Sequence, residues 1–286
     1  MKKVYNVCWS GGVDSTFIVT QLSQFPVIIR SYYIKGQTFR LSEPYELSAI
    51  SSIYNELIND SRTKAEITPL NVLEKDDYRI KSRDIVNAHR RIYIQLLKEY
   101  KEKNNGKLPP AGSQQIYADG AFVSPQYVSC ASLAEYLGEP IEIGLLRDDF
   151  EGNPSFSFLH DILDTQMDSI TGRRLMYVKE DVRKKDAFEL FKDLRFPIAG
   201  QDMYKKDVWN WYAYNNYLRV RSKTNFCQDP IIHDDGTIEP CGICTACIGV
   251  IKENVLEPFT EAGINRYKDY EENHEKDPAR FRLKGF

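Results

Sequence analysis

The sequence predicts an α/β fold: a doubly wound, mainly parallel sheet with helices on both faces, followed by a small metal-binding segment. Two observations favour it. Short apolar segments alternate with segments of helical periodicity along most of the chain, which is typical of strand–helix–strand units and a parallel sheet. Near the C-terminus, four cysteines have the spacing of metal ligands. With 286 residues, 42% of them hydrophobic, the chain is long enough for one large domain with an appended segment.

The N-terminal segment predicts a strand, a tight turn and a helix. The run Val4–Trp9 is rich in β-branched and aromatic residues, two glycines follow it, and a helical pattern begins at Phe17. Glycines allow a sharp turn and a close approach of backbone N–H groups to a ligand, and the N-terminus of the new helix attracts anions. The candidate phosphate ligands are therefore the seven loop residues Ser10, Gly11, Gly12, Val13, Asp14, Ser15 and Thr16.

Asp14 is the unusual member of this loop. A carboxylate is tolerated beside phosphate when a cation lies between them, and magnesium would supply that cation. The alternative is that Asp14 and Ser15 only cap the helix, as such residues often do. The loop matches neither the Walker pattern nor Gly-x-Gly-x-x-Gly. The complete Ser-Gly-Gly-x-Asp-Ser-Thr motif directly after an N-terminal strand favours phosphate binding over simple capping.

Further strands and helices are predicted in alternation after this unit. Pro26 precedes the continuous apolar run Val27–Ile34, which suits a buried parallel strand. The later predicted strands are Ala65–Leu70, Ile141–Leu146 and Leu175–Val178, the last of these closing the sheet. The predicted helices are Pro44–Ile58, Asp84–Lys103, Tyr127–Leu137 and Lys184–Leu194, the last ended by Pro197, and Asn104–Gly112 is a predicted loop.

The composition changes from Lys205 onward, where aromatic residues become frequent. We therefore place a boundary at residue 200, with the sheet domain in residues 1–200 and an aromatic-rich helical and cysteine-containing region in residues 201–286. The aromatic side chains are expected to pack this region onto the sheet domain, because aromatics dominate burial at such contacts. The alternative is that they stack on a purine base. They are Trp209, Trp211, Tyr212, Tyr214 and Tyr217.

Charge and cysteine usage limit the classes of function. The net charge is −3 and the pI is about 5.9, which disfavours a large nucleic acid as the substrate, since such proteins usually carry a basic surface. No apolar run approaches the ~20 residues that span a membrane. Met1–Lys3 leads directly into the first strand, unlike a signal peptide. Six cysteines without a secretory signal indicate reduced thiols or metal ligation, and a cytoplasmic location is expected.

Four of the cysteines form a metal-ligand pattern. Cys227 is followed by Cys241, Cys244 and Cys247, the last three spaced C-x₂-C-x₂-C. Four thiolates suit a structural zinc ion, although an iron–sulfur cluster can be held by the same pattern. His233 lies in the long spacer and could replace one cysteine, but four cysteines are already present, so we interpret it as a loop residue. Cys8 and Cys130 are interpreted as small buried hydrophobic residues.

The Ser10–Thr16 loop closely resembles the pyrophosphate-binding loop of the PP-loop ATP pyrophosphatases, which cleave ATP between the α and β phosphates. Together with the cysteine pattern, it resembles one branch of them, the 7-cyano-7-deazaguanine synthases of the queuosine-precursor pathway. Three further segments are similar to motifs of that family. They are Gly36-Gln37 after the second strand, Ile143-Gly144 with Asp148-Asp149, and the helix from Arg183-Lys184-Lys185-Asp186 to Pro197.

The chain also departs from that family's pattern. The spacer between Cys227 and Cys241 is longer, a Pro-Gly-Arg-Asn segment near the substrate has no clear counterpart between Asp84 and Gln126, and residues 100–130 and 198–224 are insertions. These departures bear on the identity of the acceptor substrate rather than on the residues that bind ATP.

The resemblance implies an adenine-nucleotide α-hydrolase-like fold and an ATP-dependent carbon–nitrogen ligase that uses ATP, magnesium and zinc. Such an enzyme adenylates the carboxylate of 7-carboxy-7-deazaguanine and uses ammonia to form the amide and then the nitrile. Asp14, Ser15 and Lys184 are the implied catalytic residues. Asp148 and Asp149 are the implied contacts for the purine-like base, and a homodimer is expected.

Several alternatives stay open. Lys184 could be an ordinary solvated lysine, and the acidic pair could be an ordinary turn. The enzyme could instead join a deazaguanine to a macromolecule, such as a protein, or modify tRNA. A catalytically silent nucleotide-binding scaffold is the third possibility, but an intact pyrophosphate loop argues against it.

Overall fold

The computed structural model describes residues 2–35, 42–74, 83–107, 125–151 and 159–281. Its strands form a central sheet and two small two-stranded sheets. In chain order the strands are β1 (Val4–Cys8), β2 (Ile28–Ile34), β3 (Glu66–Ile67), β4 (Asn71–Leu73), β5 (Ile141–Glu142), β6 (Leu163–Met167), β7 (Arg174–Val178), β8 (Leu194–Arg195), β9 (Ile231–Ile232) and β10 (Ile238–Glu239).

The helices lie between and after these strands, and the described residues also contain three short 3₁₀ turns. In chain order the helices are α1 (Val13–Ser23), α2 (Glu43–Ile58), α3 (Arg83–Lys103), α4 (Pro125–Leu137), α5 (Arg147–Glu151), α6 (Lys185–Phe191), α7 (Pro197–Gly200), α8 (Lys205–Tyr214), α9 (Leu218–Arg221), α10 (Thr245–Lys252) and α11 (Glu261–Asn273). The 3₁₀ turns are His160–Ile162, Val182–Lys184 and Pro278–Phe281. Within the described residues, no helix is both long and apolar enough to cross a membrane.

The central sheet is parallel, as the sequence predicts. Its strand order is β3-β2-β1-β5-β8, with β4 beside the second half of β2. Every pairing in the described part of this sheet is parallel. From β1 the chain moves outward through β2 to β3, and it later returns to add β5 and β8 on the other side. The strand order therefore reverses between β1 and β5, where ligands of open α/β sheets usually bind.

Two hydrophobic cores flank the sheet, because successive side chains of a strand point to opposite faces. In β1 and just beyond it, Tyr5, Val7 and Trp9 belong to the first core, whereas Cys8 packs against the second. The first core also contains residues of α1, α2 and the C-terminal helices. The second contains residues of α4 and α6. Helices therefore cover both faces, which confirms the predicted α/β architecture with a mainly parallel sheet.

The predicted last strand of the sheet lies elsewhere. Residues 174–178 form a strand, β7, but it pairs antiparallel with β6 in a separate ribbon. A single bridge between Met176 and Phe196 links this ribbon to the segment that follows β8. The edge of the central sheet is instead formed by β8, which pairs with β5. The strand predicted at Leu175–Val178 is therefore present, but its predicted place as the last strand of the central sheet was wrong, because an apolar run identifies a strand and not its partner.

Other element boundaries differ in informative ways. The helix predicted over Lys184–Leu194 ends at Phe191, because Leu194 and Arg195 pair with β5 as β8. Pro197 begins the short helix α7 instead of closing the previous helix, since proline fits the first turn of a helix. The predicted strand Ile141–Leu146 forms sheet pairs only at its first two residues. The predicted strand Ala65–Leu70 is replaced by the two short strands β3 and β4.

The aromatic-rich region packs onto the sheet domain, as predicted. The ring of Phe17 on α1 meets the ring of Trp211 on α8 edge-on, with 4.9 Å between their centroids. Trp209, Tyr212 and Tyr217 are buried in the first core, while Tyr214 is 83% exposed. The first core thus runs across residue 200 from the sheet into the C-terminal region. Gly36-Gln37 and residues 108–124 of the expected insertion lie outside the described residues.

Candidate functional site

The Ser10–Thr16 loop lies where the strand order of the sheet reverses. It connects the end of β1 at Cys8 to the start of α1 at Val13. The backbone N–H of Trp9 donates to the carbonyl of Tyr32 at 2.9 Å, so the strand pairing continues to the entrance of the loop. The N-terminus of α1 therefore points its unpaired N–H groups toward the carboxyl edge of the sheet.

Hydroxyl groups within the loop fix its shape. The Ser15 hydroxyl accepts from the backbone N–H of Ser10 at 3.1 Å and lies 3.0 Å from the Ser10 hydroxyl. The Thr16 hydroxyl accepts from the indole N–H of Trp9 at 3.0 Å and is fully buried. Ser10 and Ser15 thus line the loop, while the Thr16 side chain ties the loop to β1.

Two glycines are required for space, and Gly11 is also required for its backbone conformation. Gly11 has φ +73°, and a Cβ atom there would stand 2.7 Å from the carbonyl oxygen of Glu46. A Cβ atom on Gly144, just after β5, would stand 2.9 Å from the backbone nitrogen of Ser15 and 3.0 Å from the Cβ of Asp14. Such separations are too short for real atoms. The segment after β5 therefore lies directly against the loop, which brings the predicted Ile143-Gly144 motif to the site.

Asp14 is paired with a lysine that the sequence argument did not identify. The ammonium of Lys205, the first residue of α8, forms an ion pair with Oδ2 of Asp14. The Lys205 side chain is only 14% exposed and that of Asp14 24%. Oδ1 of Asp14 is buried and has no hydrogen-bond partner within the described residues. Lys184, the lysine that the resemblance implied, forms an ion pair with Asp161.

The acidic pair Asp148-Asp149 lies in the short helix α5, and its second member lies near the loop. The backbone N–H of Leu146 donates to Oδ2 of Asp149 at 2.8 Å, and Asp148 is exposed. Burial raises the pKa of Asp149 to about 6, although the hydrogen bond from the Leu146 N–H lowers it. The charges of Asp148 and Asp14 also raise this pKa, and the charge of Lys205 lowers it. Asp149 is therefore electrically coupled to the loop, whereas Asp148 faces solvent.

The four predicted metal ligands come together. Their sulfur atoms all lie within 4.8 Å of one another and all four residues are buried. The Cys241 and Cys247 sulfurs are 3.9 Å apart, close to the about 3.8 Å that tetrahedral Zn–S bonds of about 2.3 Å require. Backbone N–H groups of Cys241 and Cys244 donate to cluster sulfurs at 3.2 Å, which stabilises thiolates. The four sulfurs fit a closed tetrahedral metal site.

The remaining histidine and cysteine candidates lie outside this cluster. His233 contacts the carboxylate of Glu239 at 3.1 Å and is 47% exposed, which agrees with its interpretation as a loop residue. Cys130 is buried in the second core, and Cys8 is partly buried against it. Contact with Cys130 and burial raise the pKa of the Cys8 thiol well above its usual value, so Cys8 is a poor nucleophile.

The cysteine region and the loop are joined by direct hydrogen bonds. Asn225, two residues before Cys227, donates its backbone N–H to the carbonyl of Gly11 at 2.9 Å. The hydroxyl of Tyr212 on α8 donates to the carbonyl of Val13 at 3.0 Å. The C-terminal region therefore forms one wall of the loop and fixes two of its carbonyl groups.

A cavity of about 490 Å³ lies beside the loop, between α2 and the C-terminal region. Two of its lining residues adjoin Gly11: Asn225 through the hydrogen bond above, and Ala49, 3.4 Å from where a Gly11 Cβ would stand. The other walls are aromatic and polar side chains, among them Tyr45, Ser48, Trp209, Arg221 and Phe226. Volumes of about 300–1,000 Å³ with apolar walls and a few polar groups are typical of small-molecule sites.

Comparison with known proteins leaves the family undetermined, since no protein-family model and no curated protein matches this chain.

Proposed function

We propose that this chain is a PP-loop ATP pyrophosphatase that adenylates the carboxylate of 7-carboxy-7-deazaguanine and passes it to ammonia. The observation that carries this proposal is the Ser10–Thr16 loop at the reversal point of the parallel sheet, with the unpaired Asp14 oxygen in it. The chain would then act as an ATP-dependent carbon–nitrogen ligase.

The loop suits a departing pyrophosphate. The backbone N–H groups of Val13 and Asp14 open α1, and such groups lack acceptors inside a helix. Together with the Ser10 and Ser15 hydroxyls and the helix dipole, they stabilise negative charge that develops on the β-phosphate side of the breaking bond. Because these donors are held in place by the contacts to Gly11 and Gly144, they need little rearrangement when the charge appears.

Asp14 fits a magnesium ligand, because its Oδ1 is a buried carboxylate oxygen without a protein donor in the described residues. Bound magnesium would neutralise phosphate charge and so favour loss of pyrophosphate. Zinc in the site formed by Cys227, Cys241, Cys244 and Cys247 would be structural, since all four ligand positions are filled by protein.

The cavity beside the loop is our candidate for the acceptor site. A carboxylate oxygen of the acceptor attacks the α-phosphorus, the bond to the β-phosphate oxygen breaks, and an acyl adenylate and pyrophosphate form. Ammonia then attacks the acyl carbon and AMP leaves, which gives the amide. A second ATP would adenylate the amide oxygen with release of pyrophosphate, and loss of AMP, which carries that oxygen, and of a proton would give the nitrile. The aromatic walls and Arg221 suit a planar base with polar edges.

The test is the acceptor dependence of AMP formation. The purified protein is incubated with ATP, magnesium and ammonium, with 7-carboxy-7-deazaguanine, with tRNA or without an acceptor, and AMP and pyrophosphate are measured. We expect AMP formation only with the deazaguanine acid, and none for Asp14→Ala. AMP formation with tRNA alone would mean that tRNA, and not the deazaguanine acid, is the acceptor. Conversion of ATP to ADP would refute the proposal.

A further inference from the structure

Lys205 places a positive charge inside the mouth of the loop. It is the first residue of α8, in a segment that belongs to no part of the loop motif. Its ammonium contacts Asp14, which stands in the first turn of α1. Since only 14% of this long side chain is exposed, the loop mouth holds it among protein groups rather than in solvent.

Acidic side chains surround the Lys205 ammonium. It is paired with Asp14, and its charge also acts on the carboxyl groups of Asp149 and Glu253. Burial raises the pKa values of both carboxyl groups, and Lys205 lowers them. Among the described residues, the Lys205 ammonium therefore offsets several acidic groups where the phosphates would enter.

The two carboxylate oxygens of Asp14 differ in their surroundings: Oδ2 pairs with Lys205, and Oδ1 has no partner among the described residues. Magnesium demands near-octahedral oxygen ligation and would draw the Asp14 carboxylate toward itself, while an incoming phosphate competes for the ammonium. We infer that Lys205 is a phosphate ligand and that Asp14 pairs with it only until the nucleotide binds. When magnesium and the nucleotide bind, Asp14 turns to the magnesium ion and Lys205 turns to the phosphates. This inference rests on the proposed nucleotide site and assigns to Lys205 the role that the resemblance gave to Lys184.

The geometry makes this exchange a local one. The Lys205 ammonium already touches a side chain of the first turn of α1, and that turn presents the N–H groups that bind phosphate. Four methylene groups let the ammonium move by rotamer changes while α8 stays fixed by its aromatic contacts to α1. No backbone movement is needed.

The test uses inorganic pyrophosphate without metal, measured by titration calorimetry in EDTA, so that the magnesium role of Asp14 is removed. Wild-type protein should bind pyrophosphate, and Lys205→Met should bind it about 10- to 100-fold more weakly, as for a lost hydrogen bond between charged groups. Lys205→Arg should keep most of the affinity. Lys206→Met is the matched control, because Lys206 is the next residue and is exposed; it should bind like wild type.

The Asp14→Asn variant separates a phosphate ligand from a structural ion pair. If Asp14 holds Lys205 only until phosphate binds, Asp14→Asn should bind metal-free pyrophosphate several-fold more tightly than wild type. Adding Lys205→Met should then make binding several-fold weaker than in wild type, because the phosphate ligand is lost. If Lys205 only neutralises Asp14, the double variant should instead bind as well as wild type, and the inference is wrong. Weak binding by Lys184→Met together with normal binding by Lys205→Met would also overturn it.

The same titrations distinguish the two proposals. If wild-type protein binds neither pyrophosphate nor magnesium-ATP, the proposed nucleotide site fails and the role of Lys205 fails with it. If wild-type protein binds both but Lys205→Met binds as well as Lys206→Met, only the role of Lys205 is refuted. Circular dichroism of each variant checks that the helix content of the whole protein is the same as in wild type.

Discussion

Replacing Asp149 by asparagine tests the electrostatics of the site without changing its shape. The side-chain oxygen that accepts from the backbone N–H of Leu146 at 2.8 Å is kept, and only the negative charge is removed. Burial raises the pKa of Asp149 to about 6 from an ordinary value of 3.8, in spite of that hydrogen bond. The folded protein therefore tolerates the charged carboxylate less well than the unfolded chain does.

The size of the effect follows from that difference. A shift of about two pKa units corresponds to at most about 3 kcal/mol. Because the folded protein binds this proton more tightly, the destabilisation is absent below about pH 4, grows between about pH 4 and 6 and is complete above the folded pKa. Asp149→Asn should thus stabilise the protein by up to about 3 kcal/mol at about pH 8, and its advantage should shrink by about 1.4 kcal/mol at about pH 5.

The assay is urea unfolding of wild type and Asp149→Asn at a series of pH values, with the exposed Asp234→Asn as a control for the loss of one negative charge. The difference for Asp149→Asn should rise with pH along the titration of a group with pKa near 6, while the control should be flat. A difference that does not vary with pH, or a variant less stable than wild type at about pH 8, would refute the argument from burial.

Three further predictions test the site. Gly144→Ala should weaken ATP binding and lower the free energy of unfolding by about 1–3 kcal/mol, because its Cβ would lie 3.0 Å from that of Asp14. Gly249→Ala, with open space around the added Cβ, is the control, and equal losses of stability in the two variants would contradict the prediction. The wild-type protein should be colourless and contain zinc by elemental analysis; Cys244→Ser should lose this zinc, whereas Cys130→Ser should keep it. A brown, iron-containing protein would favour the tRNA-modifying alternative. Ser48→Trp should fill the cavity and abolish acceptor-dependent AMP formation while pyrophosphate binding stays normal; unchanged turnover would place the acceptor elsewhere.

Features encoded by neighbouring residues could be predicted from the sequence. The strand–turn–helix unit around Ser10–Thr16 depends on local periodicity and on glycine, so it was predicted correctly. The cysteine group could be predicted because three ligands lie within seven residues. In each case the pattern and the structural requirement occupy the same short stretch of chain.

Features that depend on distant partners could not be predicted. Lys205 meets Asp14 across 191 positions, and no periodicity links them. The helix of residues 185–191 ends early because Leu194 pairs with β5, a tertiary contact that overrides helical spacing. For the same reason the apolar run of β7 predicted a strand but not its antiparallel partner β6.

The hydrogen bonds that join the loop to the C-terminal region also set an order of events during synthesis. Val13 is held by the hydroxyl of Tyr212, which follows it by 199 residues. A ribosome adding about 5–20 residues per second makes those residues roughly 10–40 s after the loop. The loop motif is thus translated well before the residues that fix its final form. Until Trp211 is made, the apolar face of α1, which includes its partner Phe17, is exposed in the nascent chain. That face is then open to chaperones and to aggregation.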